Sequence, residues 1–423
     1  MAQLIRNAQV WDGTGAAPFA ADVLIEGDRI RALQRGSAAS RAPEGLEVID
    51  AMGMTLMPGL VEGHAHLSFC GATKNTDLGD IPPEEHVIET LHNAKKLLDA
   101  GFTSAYSAAS AKLRLDVVVR NEVNSGRSPG PRIRAASPEI TVTGGLGDEN
   151  RQHLMRDSFA IVADGAQDIV RVVRTCIREG VDNIKLNISG DDFVPAKGGM
   201  TVMREEEVRA ACEVAHSYGR RVSSHSRAGN AVKRAVQCGV DVIYHCEMAD
   251  DEALDLLEAA RDRVFVGPAI GLIHNTLYEA EPWGITRAAA IDLGMQRCIE
   301  SSQRTYEQMR KRGIRVVIGG DYGFAWTPQG TNARDIEHFV KLFGYSPSEA
   351  LQCATRVGGE LMGLPLGTVT EGQLADLLVV DGNPLQDVRV LQDASRLKLI
   401  MKGGVAHKNT LAEAALAHER RAA

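Results

Sequence analysis

The sequence predicts an α/β protein, a closed (β/α)8 TIM-like barrel carrying a small β-sandwich built from both ends of the chain. Three observations predict it. The middle of the chain repeats an amphipathic helix, a glycine and a short apolar strand; the two ends alternate and turn like an antiparallel sheet; and metal-ligand side chains recur where the apolar strands end.

The opening stretch reads as short strands separated by turns. Leu4-Ile5-Arg6-Asn7-Ala8-Gln9-Val10-Trp11 alternates, a Gly/Ala/Pro break follows, and Ala21 to Leu33 and Leu46-Glu47-Val48-Ile49-Asp50 alternate again. A similar texture returns near the end, in Ala375 to Pro384 and Leu397 to Gly404. Both ends are therefore expected in one sheet domain, residues 1–57 and 363–423 with a tail, around a barrel over 58–362.

Between them the rhythm changes. Val87 to Ala100 leads into Gly101-Phe102-Thr103-Ser104-Ala105-Tyr106, Ile169 to Glu179 into Gly180 to Asn187, and Glu205 to Tyr218 into Gly219 to His225. Ala231 to Cys238 then leads into Gly239 to His245, Ala253 to Ala260 into Val264-Phe265-Val266, and Arg304 to Arg312 into Gly313 to Asp321. Apolar strands alternating with helices mean a parallel sheet covered on its faces. About eight such units favour a closed barrel over an open sheet, and no Gly-rich phosphate loop of the dinucleotide or nucleotide type follows a strand.

Composition limits the partners. A hydrophobic fraction of 44% with 24% charged residues excludes disordered and fibrous classes. The net charge of -8 offers no basic footprint for nucleic acid, and no apolar run reaches membrane-span length, so the expected partner is a small molecule. The start of the chain lacks the basic-then-apolar pattern of a signal peptide, and the seven scattered cysteines form no Cys-x-x-Cys. Reduced thiols and a cytoplasmic location are expected.

The chemistry concentrates at the strand ends. His64 and His66 close the run Met54-Thr55-Leu56-Met57-Pro58-Gly59-Leu60-Val61-Glu62-Gly63, and a His-x-His spacing on a strand puts both rings on one side. Lys185, His225, His245 and Asp321 end other strands. In a barrel these ends converge on one mouth. Imidazoles and a carboxylate suit Zn²⁺ and related ions. Lysine is the odd member, because an ammonium cannot bind a cation. Carboxylated by CO2, Lys185 would become a carbamate able to bridge two ions, and Ile184 and Leu186 beside it favour the neutral amine that reacts.

Together these residues resemble the amidohydrolase superfamily, in its branch of imidazolonepropionase-like proteins and metal-dependent Xaa-Pro or Xaa-Arg dipeptidases. The likeness runs through Met57 to His66, Gly101-Phe102-Thr103-Ser104, Ser128-Pro129-Gly130-Pro131-Arg132, Ile184-Lys185 and Val222-Ser223-Ser224-His225. It continues through Gly239 to His245, Gly319-Gly320-Asp321, Glu349-Ala350-Leu351 and Gly372 to Val380.

The resemblance implies a two-metal site. His64, His66 and Asp321 would hold one ion, His225 and His245 the other, with carbamylated Lys185 between them. It implies that a bridging hydroxide attacks a C–N amide bond, with Asp321 taking its proton and passing it to the leaving nitrogen. Substrates of that kind are N-acyl amino acids, dipeptides and aryl amides or carbamates. Cyclic amide hydrolysis and hydrolytic deamination are the alternatives within enzymes, and a catalytically inactive metal-binding barrel is the alternative outside them. Relatives commonly form homo-oligomers, which the resemblance implies here.

The chain departs from its relatives near the substrate. Ser104-Ala105-Tyr106-Ser107 stands where many have Thr-Val-Arg-Asp, and Leu146 where many have a histidine after Gly-Gly. Arg227 stands where related dipeptidases have a tyrosine. Arg227, His153 and Tyr106 are accordingly the expected substrate contacts, Arg227 as a bidentate grip on a carboxylate. Apolar and aromatic residues in 267–275 and 322–326 suggest a substrate with a hydrophobic or aryl part.

Overall fold

The alternating stretches at the two ends of the chain pair with one another in the computed structural model, which describes residues 2–36 and 46–411. Across the sheet the order is Val405–Asn409, Leu397–Lys402, Leu377–Val380, Thr55–Pro58, Ala2–Val10, Phe19–Glu26 and Arg29–Arg35, with Glu47–Asp50 alongside Ala2–Val10. Every second residue faces a separate core that includes Val23, Ile25, Leu377, Val379, Leu399 and Met401. Where a two-sheet sandwich was expected, these strands bond as a single sheet. Residues 37–45 of the N-terminal part and 412–423 of the tail lie outside the described residues.

The middle of the chain supplies parallel strands. Ala160–Val162, Ala136–Thr141, Asn183–Asn187, Arg221–Ala228, Val242–Met248 and Phe265–Gly267 form one ladder, and Leu60–Ala65, Phe102–Ser107 and Arg132–Arg134 another. Only Ala135 separates Arg132–Arg134 from Ala136–Thr141. The expected strand over 313–321 has one isolated bridge, Val266 with Val316, rather than a ladder. Its backbone still bonds to both sides: Val317 N donates to Val266 O at 2.9 Å, and Gly63 N to Ile318 O at 3.0 Å. Gly319 and Gly320 follow, and Asp321 at φ 62° turns the chain out of extended geometry before a longer ladder can form.

The helices fall where the apolar periodicity put them, most with earlier starts. Pro83–Asp99 begins a turn before Val87 because Pro83 takes the first helical position and Glu84 and Glu85 its first turn. Met295–Lys311 begins well before Arg304, carrying a buried stripe of Cys298, Ser302, Thr305, Tyr306 and Met309. The two parts of the fold are joined by Arg132, whose Nε donates to buried Asp376 at 2.8 Å. Among the described residues no helix is long and apolar enough to cross a membrane.

Candidate metal centre

The expected ligands come from the ends of five neighbouring segments, His64 and His66 sharing one, and the strand register brings them together. Lys185 lies opposite Glu139 on one side and Ser223 on the other, while His225 lies opposite Tyr244, the neighbour of His245. His64, His66, Lys185, His225, His245 and Asp321 all line one cavity of about 690 Å³. His245 and Asp321 reach it at φ 75° and 62°. Left-handed backbone at such residues costs about 1–3 kcal/mol each and is typical of functional sites.

The inner group is tight. His66 Nε2 lies 3.1 Å and His64 Nε2 3.9 Å from Asp321 Oδ1. One ligand atom from each of His64, His245 and Asp321 falls within 4.8 Å of the others. The His225 and His245 rings meet edge to face with centroids 4.1 Å apart. Lys185 Nζ sits 4.7 Å from the centre of the Tyr244 ring, which stacks on His64 at 3.8 Å and is anchored by its hydroxyl donating to Gly63 O at 2.7 Å.

The electrostatics favour metal-binding protonation states. Burial pushes His225 down to about 4 and pushes His64 and His245 well below the ordinary imidazole range, so all three are neutral. Burial likewise lowers Lys185, the direction that a carbamate-forming amine needs. Burial opposes charge on Asp321, yet the His64 and His66 imidazoles facing it lower its carboxyl from the usual range. It is therefore ionised.

Hydrogen bonds orient the rings. His66 Nδ1 bonds to Ala109 O at 3.2 Å, leaving Nε2 toward Asp321, and His225 Nε2 bonds to Gly190 O at 3.0 Å, leaving Nδ1 free. Both nitrogens of His64 are buried without any hydrogen-bond partner. An orphaned buried polar group costs about 1–3 kcal/mol. These residues fit a divalent cation, whose ligation satisfies a neutral imidazole where no hydrogen bond does.

The expected substrate contacts sit elsewhere. Arg227 is buried and bonded to protein carboxylates: Glu247, Asp191 and Asp192 surround its guanidinium, which therefore lies outside the cavity lining. Tyr106 packs in an apolar cluster with Val61, Tyr244 and Phe265, outside the cavity lining. His153 is exposed and outside the lining as well. Leu146 does line the cavity, and its carbonyl accepts from Asn187 Nδ2 at 3.0 Å.

Glu139 was not anticipated. It is 4% exposed, pairs in register with Lys185, accepts from Asn187 Nδ2 at 2.6 Å, and burial raises its carboxyl. A carboxylate near the end of the run Ala136-Ser137-Pro138-Glu139-Ile140-Thr141 was the available signal. One wall of the cavity is aromatic. Phe69 stacks on His66 at 4.2 Å and meets Phe159 and Phe324 edge on, and Phe324 stacks on Trp326 at 5.5 Å.

The model of the amidohydrolase family matches residues 55–406. The chain belongs to the amidohydrolase family. It is similar to the ochratoxinase of Aspergillus niger, 24% identical over 375 residues that cover 82% of this chain and 75% of that protein. A solved prolidase complexed with N-methylphosphonate-L-proline superposes with TM-score 0.85 at 25% identity, covering 97% of this chain and 100% of that one. A Xaa-Pro dipeptidase with methionine bound in its active site gives TM-score 0.82 at 26% identity, with the same coverage. The resemblance to the family and its dipeptidase-like branch therefore stands, and the chain is a hydrolase of that family.

Proposed function

We propose that this amidohydrolase is a two-metal enzyme that hydrolyses the C–N bond of an amide bearing an aryl or large apolar group, such as an N-acyl amino acid, a dipeptide or an aryl carbamate. The observation that carries the reading is the pair of orphaned, buried nitrogens on His64 beside ionised Asp321 and buried Lys185. His64, His66 and Asp321 would hold one ion and His225 and His245 the other, with Lys185 joining them as a carbamate. Two divalent ions of the zinc type would supply a hydroxide nucleophile at neutral pH and polarise the substrate carbonyl.

The chain's own residues do the rest. Asp321, held ionised and oriented by His66, takes the proton released on attack and returns it to the leaving nitrogen. Phe69, Phe159, Phe324 and Trp326 bind the apolar group and exclude water beside the reacting bond. The frame is a closed eight-stranded barrel over 58–362, with 1–57 and 363–423 as the accessory sheet. Supporting closure, the 313–321 segment bonds to Val266 on one side and Gly63 on the other.

The test is a panel of N-aroyl amino acids, dipeptides, lactams and aminopurines incubated in ¹⁸O-labelled water with product mass analysis. An acyclic amide giving a labelled carboxylate and a free amine is expected, and Asp321→Asn with its metals retained should be inactive. Turnover of only lactams or aminopurines contradicts the reading.

A further inference from the structure

Arg227 is 2% exposed, and protein surrounds its guanidinium. Its Nε donates to Glu247, its Nη1 to Asp191 Oδ2 at 3.0 Å, and its Nη2 lies 3.1 Å from Asp192 Oδ2 and 2.9 Å from Cys298 Sγ. Its backbone N donates to Ser189 Oγ at 2.9 Å.

These partners come from the segments that carry Lys185, His225 and His245. Glu247 lies two residues past His245, Arg227 two past His225, and Ser189, Asp191 and Asp192 follow the Lys185 strand. The same loop supplies Gly190 O, which takes the His225 Nε2 bond. From the other side, Tyr306 donates to His245 O at 2.7 Å and Ser301 to Glu247 O at 2.7 Å.

We propose that Arg227 is a positioning residue for the second metal position, a clamp that locks three ligand-bearing segments at the spacing Lys185, His225 and His245 require. The inference rests on the two-metal reading. Three carboxylates share one guanidinium, and Glu247 is fully buried with Oε2 lacking any other partner. Without Arg227 those anions repel, and the loop carrying Gly190 separates from the His225 strand. None of the clamp's contacts involves His64, His66 or Asp321 among the described residues, so the first position feels the clamp only indirectly, through Lys185 and the neighbouring His245.

The test measures metal content and the affinity of each equivalent by chelator competition, with thermal melting as a fold control. It uses wild type, Arg227→Lys, and Arg227→Met combined with Glu247→Gln, which removes the otherwise uncompensated buried charge. Asp191→Asn serves as a milder variant that leaves Arg227 in place. Wild type should hold two equivalents, and each clamp variant should melt cooperatively yet bind the second equivalent more weakly, about 10–100-fold in the Arg227 variants, with the first affected far less. A second equivalent held at wild-type affinity, or both equivalents weakened alike, overturns the inference alone. A wild type that holds only one equivalent overturns the two-metal reading and the inference with it.

Discussion

Gly319 is where a single methyl group should reach the metal centre. It sits against the His64 strand, and a Cβ placed there would lie 2.4 Å from His64 Cβ and 2.6 Å from His64 N, whereas ordinary contact begins at 3.4 Å. The backbone of His64 cannot swing aside as a flexible side chain would. Gly319→Ala therefore separates the two segments by about 1 Å, at a cost of about 1–3 kcal/mol for overpacking a rigid interior. The displacement acts on the 3.9 Å spacing between His64 and Asp321. A 1 Å misplacement is worth about 100-fold in rate. The assay is kcat/KM on an N-aroyl amino acid, with metal content and denaturant midpoint measured on the same preparations. Gly199→Ala, with nothing within 4 Å of the added methyl, is the control and should change stability by less than about 0.5 kcal/mol. Wild-type metal content and activity in Gly319→Ala would refute the claim that this contact sets the site.

Burial holds the His225 ring at about 4 against an ordinary 6.5, so in the metal-free protein the unfolded chain takes up this proton first as pH falls from 6.5 through 4. Wild type should accordingly lose about 3 kcal/mol relative to His225→Asn over that window, measured by denaturant unfolding; a constant difference between the two proteins would contradict the shift. Phe324→Ala removes one face of the aromatic wall and should lower kcat/KM for an N-aroyl substrate about 10-fold, with far less effect on an N-acetyl one. Equal loss on both would show that the wall does not bind the acyl group. Asp376→Ala strips the partner from Arg132 and the acceptor from Gly403 N, costing about 3 kcal/mol while metal content per folded chain stays unchanged. Loss of metal in that variant would mean the accessory sheet shapes the site.

Six ligand-type residues were legible because each requirement is local. A strand that ends in His or Lys after an apolar run announces itself, and the helix–strand rhythm says that such ends share a mouth. What stayed hidden depends on partners far along the chain. Arg227 looked like a substrate contact because alternation places it on the same side of the strand as His225, and only the buried carboxylates of Glu247, Asp191 and Asp192, from segments far along the chain, take up its guanidinium. Glu139 escaped notice because its importance comes from register with Lys185, 46 positions on in the chain. The last barrel segment was read as a full strand from its apolar run Ile314-Arg315-Val316-Val317-Ile318, whereas the close approach of Gly319 to His64 and the left-handed turn at Asp321 leave it a single bridge.

The most direct measurement is the activity of chelator-stripped protein titrated with a divalent metal in the presence of bicarbonate. The account predicts that hydrolysis rises to a plateau at two equivalents per chain, and that Lys185→Ala, although folded, stays inactive at every equivalent. A plateau at one equivalent, turnover in the stripped protein, or a fully active Lys185→Ala would contradict it.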